Sequence, residues 1–501
     1  MAAHFANEIP SRLLMWQRVR AYAVPPSMIE TAAARRAVGD WAGACAAARV
    51  DVDLDLRAVR RRHGTSLTAS LRADLRRLAP DLLRWHMPRI APDGRLRPGL
   101  TVSLARYDLG SGAAPVRLVV RTPPMRADAG QRMALALWEG SGENESGHHP
   151  HPYPDRRFRL DLHRHLWDAG RSGELAARCG ADRGDGSGGS GGASPGAVLG
   201  WSVGLDSSWA VDGWAAEAEV LLRAEGRSRG AFTVRLGARE LAVFELVAPD
   251  DSHVPTVRAL REGLPPQEVA ALPVLPEAAA RVLPDLELLR AGLVPVERLH
   301  PLVAAALPAG GGVSTVHGSG PGSVPGAGPD GSSGDPHRVE CRGEVHRIAL
   351  RNGVLTAVDH DPAQLRREEL LVALGGPPLP CLRAIDTVHR SPEALPAVRD
   401  RLLHGDVAGA LAVVEGLLGP AAVLRDGPLR DELETAAVRR IDHGLFRSGL
   451  LPVHPAAGAA GGGDASDQGR TSHRPRLDRR TPHTIRQKLN GRTRPRTGLA
   501  R

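Results

Sequence analysis

The chain has almost no lysine. Lys488 is the single one among the 65 Lys and Arg residues of a 501-residue sequence. A phosphate-binding P-loop ends in Gly-Lys-Ser/Thr, protein kinases place a strand lysine on phosphate, and pyridoxal enzymes form a lysine Schiff base. Lys488 precedes Leu489 in a polar stretch without core signals, which excludes these three classes. Cysteine is scarce too. Cys45, Cys179, Cys341 and Cys381 lie far apart with no C-x-x-C pair, and nothing indicates a secretory context, so free thiols are expected and neither a metal site nor a cofactor is assigned. Aromatic residues are 3% of the chain. The eight tryptophans at 16, 41, 85, 138, 167, 201, 209 and 214 read as core anchors of the N-terminal part rather than as an exposed binding patch. Long apolar runs are missing: 410–424 is interrupted by Glu415, Gly416, Gly419 and Pro420, and no stretch reaches the roughly 18 to 20 residues that span a bilayer. The first residues carry Glu8 and several arginines but no apolar core of a signal peptide. No membrane partner and a cytoplasmic location are expected.

Arginine, alanine, glycine, proline and leucine are abundant. That bias matches GC-rich coding, so arginine content alone is weak evidence for nucleic acid. The net charge is +9, yet residues 464–501 hold ten arginines and Lys488 against Asp464, Asp467 and Asp478. Attraction to phosphate therefore belongs mainly to that tail.

One turn occurs twice. Gly39-Asp40-Trp41-Ala42-Gly43-Ala44-Cys45 is echoed by Gly405-Asp406-Val407-Ala408-Gly409-Ala410-Leu411. Glycine takes the left-handed conformation that stops a helix, and the aspartate accepts from the free amides of the next one. Each copy predicts a helical hairpin, a packing device. The turn resembles those of tetratricopeptide-type helix pairs over about ten residues, too little to imply more.

Residues 1–26 read as an arm anchored by Leu13, Leu14, Trp16 and Val19. Helices are expected at 28–38, 41–49, 55–62 and 66–87. A strand-like segment carries Asp51, Asp53 and Asp55. Alternating apolar residues at 100–104 and 116–120 predict an antiparallel hairpin, and 134–138 adds a strand. A helix at 160–178, another at 213–225, strands at 230–236 and 240–247 and helical runs over 254–307 follow. Asn352-Gly353 between β-rich runs predicts a type I′ turn inside a meander at 338–359. Helices at 362–374, 392–403, 407–418 and 428–446 complete the pattern. The fold class is α+β and helix-rich, with helical hairpins alternating with small antiparallel meanders joined by disordered linkers. The expected divisions are 1–138, a linker at 139–155, a helical segment at 156–181, a linker at 182–197, an α+β block at 198–307, a linker at 308–336, a meander with helical hairpins at 337–451 and a basic tail at 452–501.

The candidate sites each have a bland reading. Matches to G-x-G-x-x-G at 326–331 and to G-x-S-x-G at 188–192 sit in low-complexity linkers, without the strand and helix those motifs require. His148, His149 and His151 with Asp155 fall among glycines and prolines. His163 and His165 are two apart on a predicted helix and so face different ways. Asp359-His360-Asp361 offers a metal or acid/base cluster, or else a strand end followed by a helix cap. The aspartates at 51, 53 and 55 suit a solvated strand face. Arg57, Arg60, Arg61 and Arg62, then Arg72, Arg76 and Arg77, suit either a DNA-reading helix pair or a charged outer face.

With its high-GC composition the chain resembles uncharacterised proteins of actinobacteria, a resemblance that implies no activity. No catalytic residue is assigned. The expected function is non-enzymatic: protein interaction, as a scaffold or regulator. The alternative partner is nucleic acid, held non-specifically through Arg470, Arg474, Arg476, Arg479, Arg480, Arg486, Lys488, Arg492, Arg494 and Arg496. An enzyme would need distant groups such as His86, His165 or His360 to meet in a pocket.

Overall fold

A computed structural model describes residues 9–110, 114–140, 153–181, 205–237, 240–247, 255–260, 264–307 and 338–450. The predicted linkers at 182–197 and 308–336, most of that at 139–155, the tail from 452 and Trp201 lie outside these residues. The described chain is α+β, with small, mainly antiparallel sheets. It divides into two compact units, one of residues 1–307 and 439–501 and one of residues 308–438. Among the described residues no helix is long and apolar enough to cross a membrane.

The first unit begins with helices Ser11–Tyr22, Pro26–Ala37 and Trp41–Ala47. The expected arm is therefore itself largely helical, and it buries Met15 and Val19. At the first Gly-Asp turn Gly39 has φ 78°, and the Asp40 carboxylate accepts the Gly43 amide at 2.8 Å. A Cβ on Gly43 would come within 2.1 Å of Asp40 Oδ2, so the cap closes only over glycine.

A four-stranded sheet follows in the order Val50–Asp53, Met133–Trp138, Val116–Arg121, Thr101–Tyr107. The predicted hairpin supplies two of its strands, and Met133–Trp138 adds antiparallel to Val116–Arg121. The Val50–Asp53 strand pairs in parallel with Met133–Trp138, placing Val50 opposite Met133. The helix Leu56–Arg77 breaks at Gly64, where φ is 81°, and Pro80–His86 is a separate helix. The continuous helix expected at 66–87 is interrupted because Pro80 lacks an amide and drives Ala79 to an extended ψ of 93°. The long helix expected at 160–178 is also not formed. Short 3-10 turns at Arg164–Leu166 and Ser172–Glu174 lead into Leu175–Cys179. Buried Asp168 takes the Gly170 amide at 3.0 Å, a local bond that competes with helix continuation.

One core in this unit runs from Val19 through Leu71, Leu75, Trp85, Leu118, Leu135 and Trp167 to Leu288 and Val303. A second core gathers Trp209, Trp214, Leu221, Phe232 and Phe244 around the sheet Gly230–Arg235, Leu241–Val247, Thr256–Ala259. That last strand falls where only helices were expected. Trp85, Trp167 and Trp214 are at most 1% exposed, consistent with their anchoring role.

The second unit opens on the predicted meander, Arg338–Cys341, Glu344–Arg351 and Val354–Ala357. Asn352 and Gly353 have φ 54° and 77°, as the type I′ turn requires. Arg342 and Gly343 do the same in the preceding turn, at 55° and 85°. Helices Pro362–Ala373, Pro380–Arg390, Leu395–Leu403 and Val407–Leu418 follow, with residues 428–438 of the last helix, Pro428–Arg447. At the second Gly-Asp turn Gly405 has φ 82° and Asp406 accepts the Gly409 amide at 3.2 Å. Pro380–Arg390 has no counterpart among the helices expected from the sequence; Pro380 stands at its first position, where a missing amide costs nothing. The helix buries Cys381, Ile385 and His389, spaced four apart on one face.

Candidate metal centre

Three elements of the second unit deliver one donor each to a single point. Cys341 ends the first strand of the meander, and its Arg342-Gly343 turn fixes where that strand stops. His360 lies between the last strand and the next helix. Its neighbours hold that connection: Asp359 accepts the Arg347 amide at 2.8 Å and pairs with the Arg347 guanidinium at 3.1 Å, while Asp361 accepts the Ala363 amide at 3.3 Å and caps the helix. Hydrogen bonds from Arg347 hold the Asp359 carboxyl down at about 2. Cys381 stands in the first turn of Pro380–Arg390.

One donor atom from each of Cys341, His360 and Cys381 lies within 4.8 Å of the other two. The sulfurs are 2.7 Å apart, and the Cys381 amide donates to Cys341 Sγ at 3.1 Å. Both cysteines are buried, and His360 is 9% exposed. His360 Nε2 is buried with no hydrogen-bond partner among the described residues. Burial, then the adjoining Cys341 thiol, pushes the Cys381 thiol up to about 12. Two thiols and an imidazole are the soft donor set that divalent zinc prefers, and a bound cation reverses this pKa by ionising the sulfur.

A second imidazole stacks on one of these donors. His346 is opposite Val339 in the meander, and the two-residue alternation puts Val339 and Cys341 on one face. Its ring stacks on His360 with centroids 4.0 Å apart and planes 11° from parallel. His346 Nδ1 is also buried without a partner among the described residues.

The Asp359-His360-Asp361 stretch thus divides its roles, the aspartates shaping the backbone and the histidine meeting two cysteines. Sequence spacing missed Cys341 and Cys381 because they are forty residues apart with no C-x-x-C. The usable signal was the Gly turn after one and the proline before the other, which place both at the ends of elements.

The other candidates settle into structural roles or lie beyond view. The ten basic residues of the tail, His148, His149, His151 and both glycine motifs are outside the described residues. Asp155 pairs with Arg157. Asp51 and Asp53 meet Arg447 of the same unit, Asp51 also meets Arg132, and Asp55 caps Leu56–Arg77. Burial raises the Asp51 pKa, but hydrogen bonds from His443 and Arg132 prevail and hold it well below the carboxylate range. Arg62 and His63 bind Glu139, and Arg77 binds Asp74 and Asp168. His163 and His165 are both buried, with rings 5.8 Å apart, because no regular helix separates them. His163 binds Glu217 at 3.1 Å, and Arg178 binds the same carboxylate at 2.6 Å. Burial pushes His86 down to about 4 and His165 well below its usual value.

Comparison with protein-family models, curated proteins and solved structures finds no match for this chain.

Proposed function

We propose that the protein acts by binding other proteins, and that its second unit is an interaction module whose fold is clamped by one zinc-class ion. Cys341, Cys381 and His360 are the ligands. The observations that support the ion most directly are the meeting of one His360 ring nitrogen with two sulfurs and the buried, partnerless Nε2 of that ring. Buried polar atoms are rarely left unpaired, and an orphan imidazole nitrogen beside thiols has a metal as its natural partner. A metal here ties the meander to two helices, which suits a small unit with little core.

The interaction reading is supported by the helix Pro362–Ala373. It buries no residue, and Leu370, Leu371 and Leu374 are 65%, 46% and 86% exposed. Contiguous exposed leucines on a short helix mark contact surfaces. Elemental analysis of the purified chain tests the ion. One zinc per chain, lost in Cys341→Ser and Cys381→Ser, supports it, while a metal-free chain that stays folded removes it. Leu370→Ser with Leu374→Ser tests the surface. Partners captured by the parent chain and lost by this variant support the interaction reading, and a partner set that does not change overturns it.

A further inference from the structure

A cleft of about 380 Å³ opens in the first unit at the far face of the four-stranded sheet. Register puts Arg106, Arg117 and Trp138 side by side across three strands. Arg117 and Trp138 line the cleft together with Tyr153, Arg159, Glu225 and Arg227. Four guanidinium groups line the cleft against two carboxylates.

Two of those arginines are already engaged. Arg159 binds Asp161 at 2.8 Å and also meets Glu225, and Arg156 donates to the Ala270 carbonyl at 2.8 Å. The side chains of Arg117 and Arg227 make no ion pair or hydrogen bond among the described residues. Arg117 is half-buried, its Nε is sealed from solvent without an acceptor, and Trp138 Nε1 is in the same condition. Burial, ahead of the nearby charges, lowers the Arg117 pKa. The Arg117 Nε thus lacks an acceptor although the Asp161 and Glu225 carboxylates act on the group from nearby, and an anion entering the cleft supplies that acceptor. The Trp138 and Tyr153 rings meet edge to face with centroids 6.5 Å apart, and Tyr153 is 56% exposed, so an aromatic surface faces the same space.

We propose that this cleft binds a small planar phosphate ester of about mononucleotide size. Its phosphate is held by Arg117 and Arg227 and its ring by Trp138 and Tyr153. Arginine suits phosphate because its planar fork makes paired, charge-assisted hydrogen bonds. The volume is in the range of small-ligand sites. The site is separate from the metal centre and does not depend on it.

The test is titration of the full chain with adenosine monophosphate at low salt, followed by calorimetry and tryptophan fluorescence, with adenosine and inorganic phosphate as separate probes. Saturable 1:1 binding by the ester, about tenfold tighter than by either fragment, is expected. Arg227→Gln changes only an exposed side chain, so it separates lost binding from lost fold. It and Arg117→Gln should each weaken the ester about tenfold with an unchanged melting temperature. No saturable binding of the ester overturns the proposal. So does binding that both variants leave intact, or that adenosine alone reproduces.

Discussion

The backbone amide of Cys381 points at the sulfur of Cys341 across 3.1 Å, although forty residues separate them. The first turn of a helix favours negative charge, and an amide hydrogen bond favours thiolate over thiol. Burial opposes both and pushes the Cys381 thiol up to about 12. A cation that ionises the sulfurs resolves this conflict.

Metal affinity should therefore rise steeply with pH and weaken in acid. Each ligand proton displaced contributes about one decade of affinity per pH unit while that group remains protonated in the apo chain. With two thiols the slope near neutral pH is about two decades, and Cys381→Ser should reduce it to about one. Competition with a colorimetric chelator at several pH values measures both slopes. A flat profile counts against thiolate ligation.

The two Gly-Asp turns have matching geometry. Asp40 takes the Gly43 amide and the Arg35 guanidinium; Asp406 takes the Gly409 amide and the Arg401 guanidinium, so the cap and the arginine five residues upstream recur together. Asp40→Ala and Asp406→Ala should each cost about 1 kcal/mol, as lost N-caps do. Gly43→Ala should cost more than Asp40→Ala, because its Cβ collides with the cap itself. Chemical denaturation of the three variants orders these effects.

Arg20 and Asp285 form a buried pair in the first unit, at 2.7 Å, with side chains 2% and 0% exposed. Asp285 also accepts from Trp85 Nε1 at 3.0 Å, and the Arg20 guanidinium lies 4.3 Å from the Trp85 ring centroid. Asp285→Ala leaves Arg20 charged and buried, a loss of about 3 to 5 kcal/mol. The double variant Arg20→Met, Asp285→Leu should be less destabilised than Asp285→Ala alone. A double variant worse than the single one would show that the ion pair is a net stabiliser.

Acid should loosen the first unit in two steps. His86 has a folded pKa of about 4 against a usual 6.5, so the unfolded chain binds more protons between those values. Its contribution is present above about 6.5 and is lost as pH falls through 4. Glu217, where burial is outweighed by hydrogen bonds from His163 and Arg178, sits at about 2 against a usual 4.5. Its contribution is present above about 4.5 and is lost as pH falls through 2, to a total of about 3 kcal/mol. His86→Gln should flatten the stability profile between pH 6.5 and 4, and Glu217→Gln should flatten it below 4.5. Thermal melts across this range detect each change.

Local chemistry was legible in the sequence, and long-range assembly was not. The Gly-Asp turns and Asn352-Gly353 were readable because a positive φ is a property of one or two residues. The 100–120 hairpin was readable because alternation is local. The parallel pairing of Val50 with Met133 left no such trace, since two helices and two further strands of the sheet lie between the partners in the chain. The break at Ala79 was signalled by Pro80 but hidden under a leucine period that continued through it. The metal centre was half visible: His360 stood out beside two aspartates, while its cysteine partners came from opposite ends of a meander and helix that only folding brings together.

Cobalt substitution tests the central claim most directly. The full chain, stripped of metal and reloaded with cobalt(II), should bind one equivalent and show thiolate-to-cobalt charge-transfer absorption with the intense visible bands of a four-coordinate site. The absorption should be lost in Cys341→Ser and shifted in His360→Ala. A weak octahedral spectrum, or one unaltered in those variants, contradicts the account.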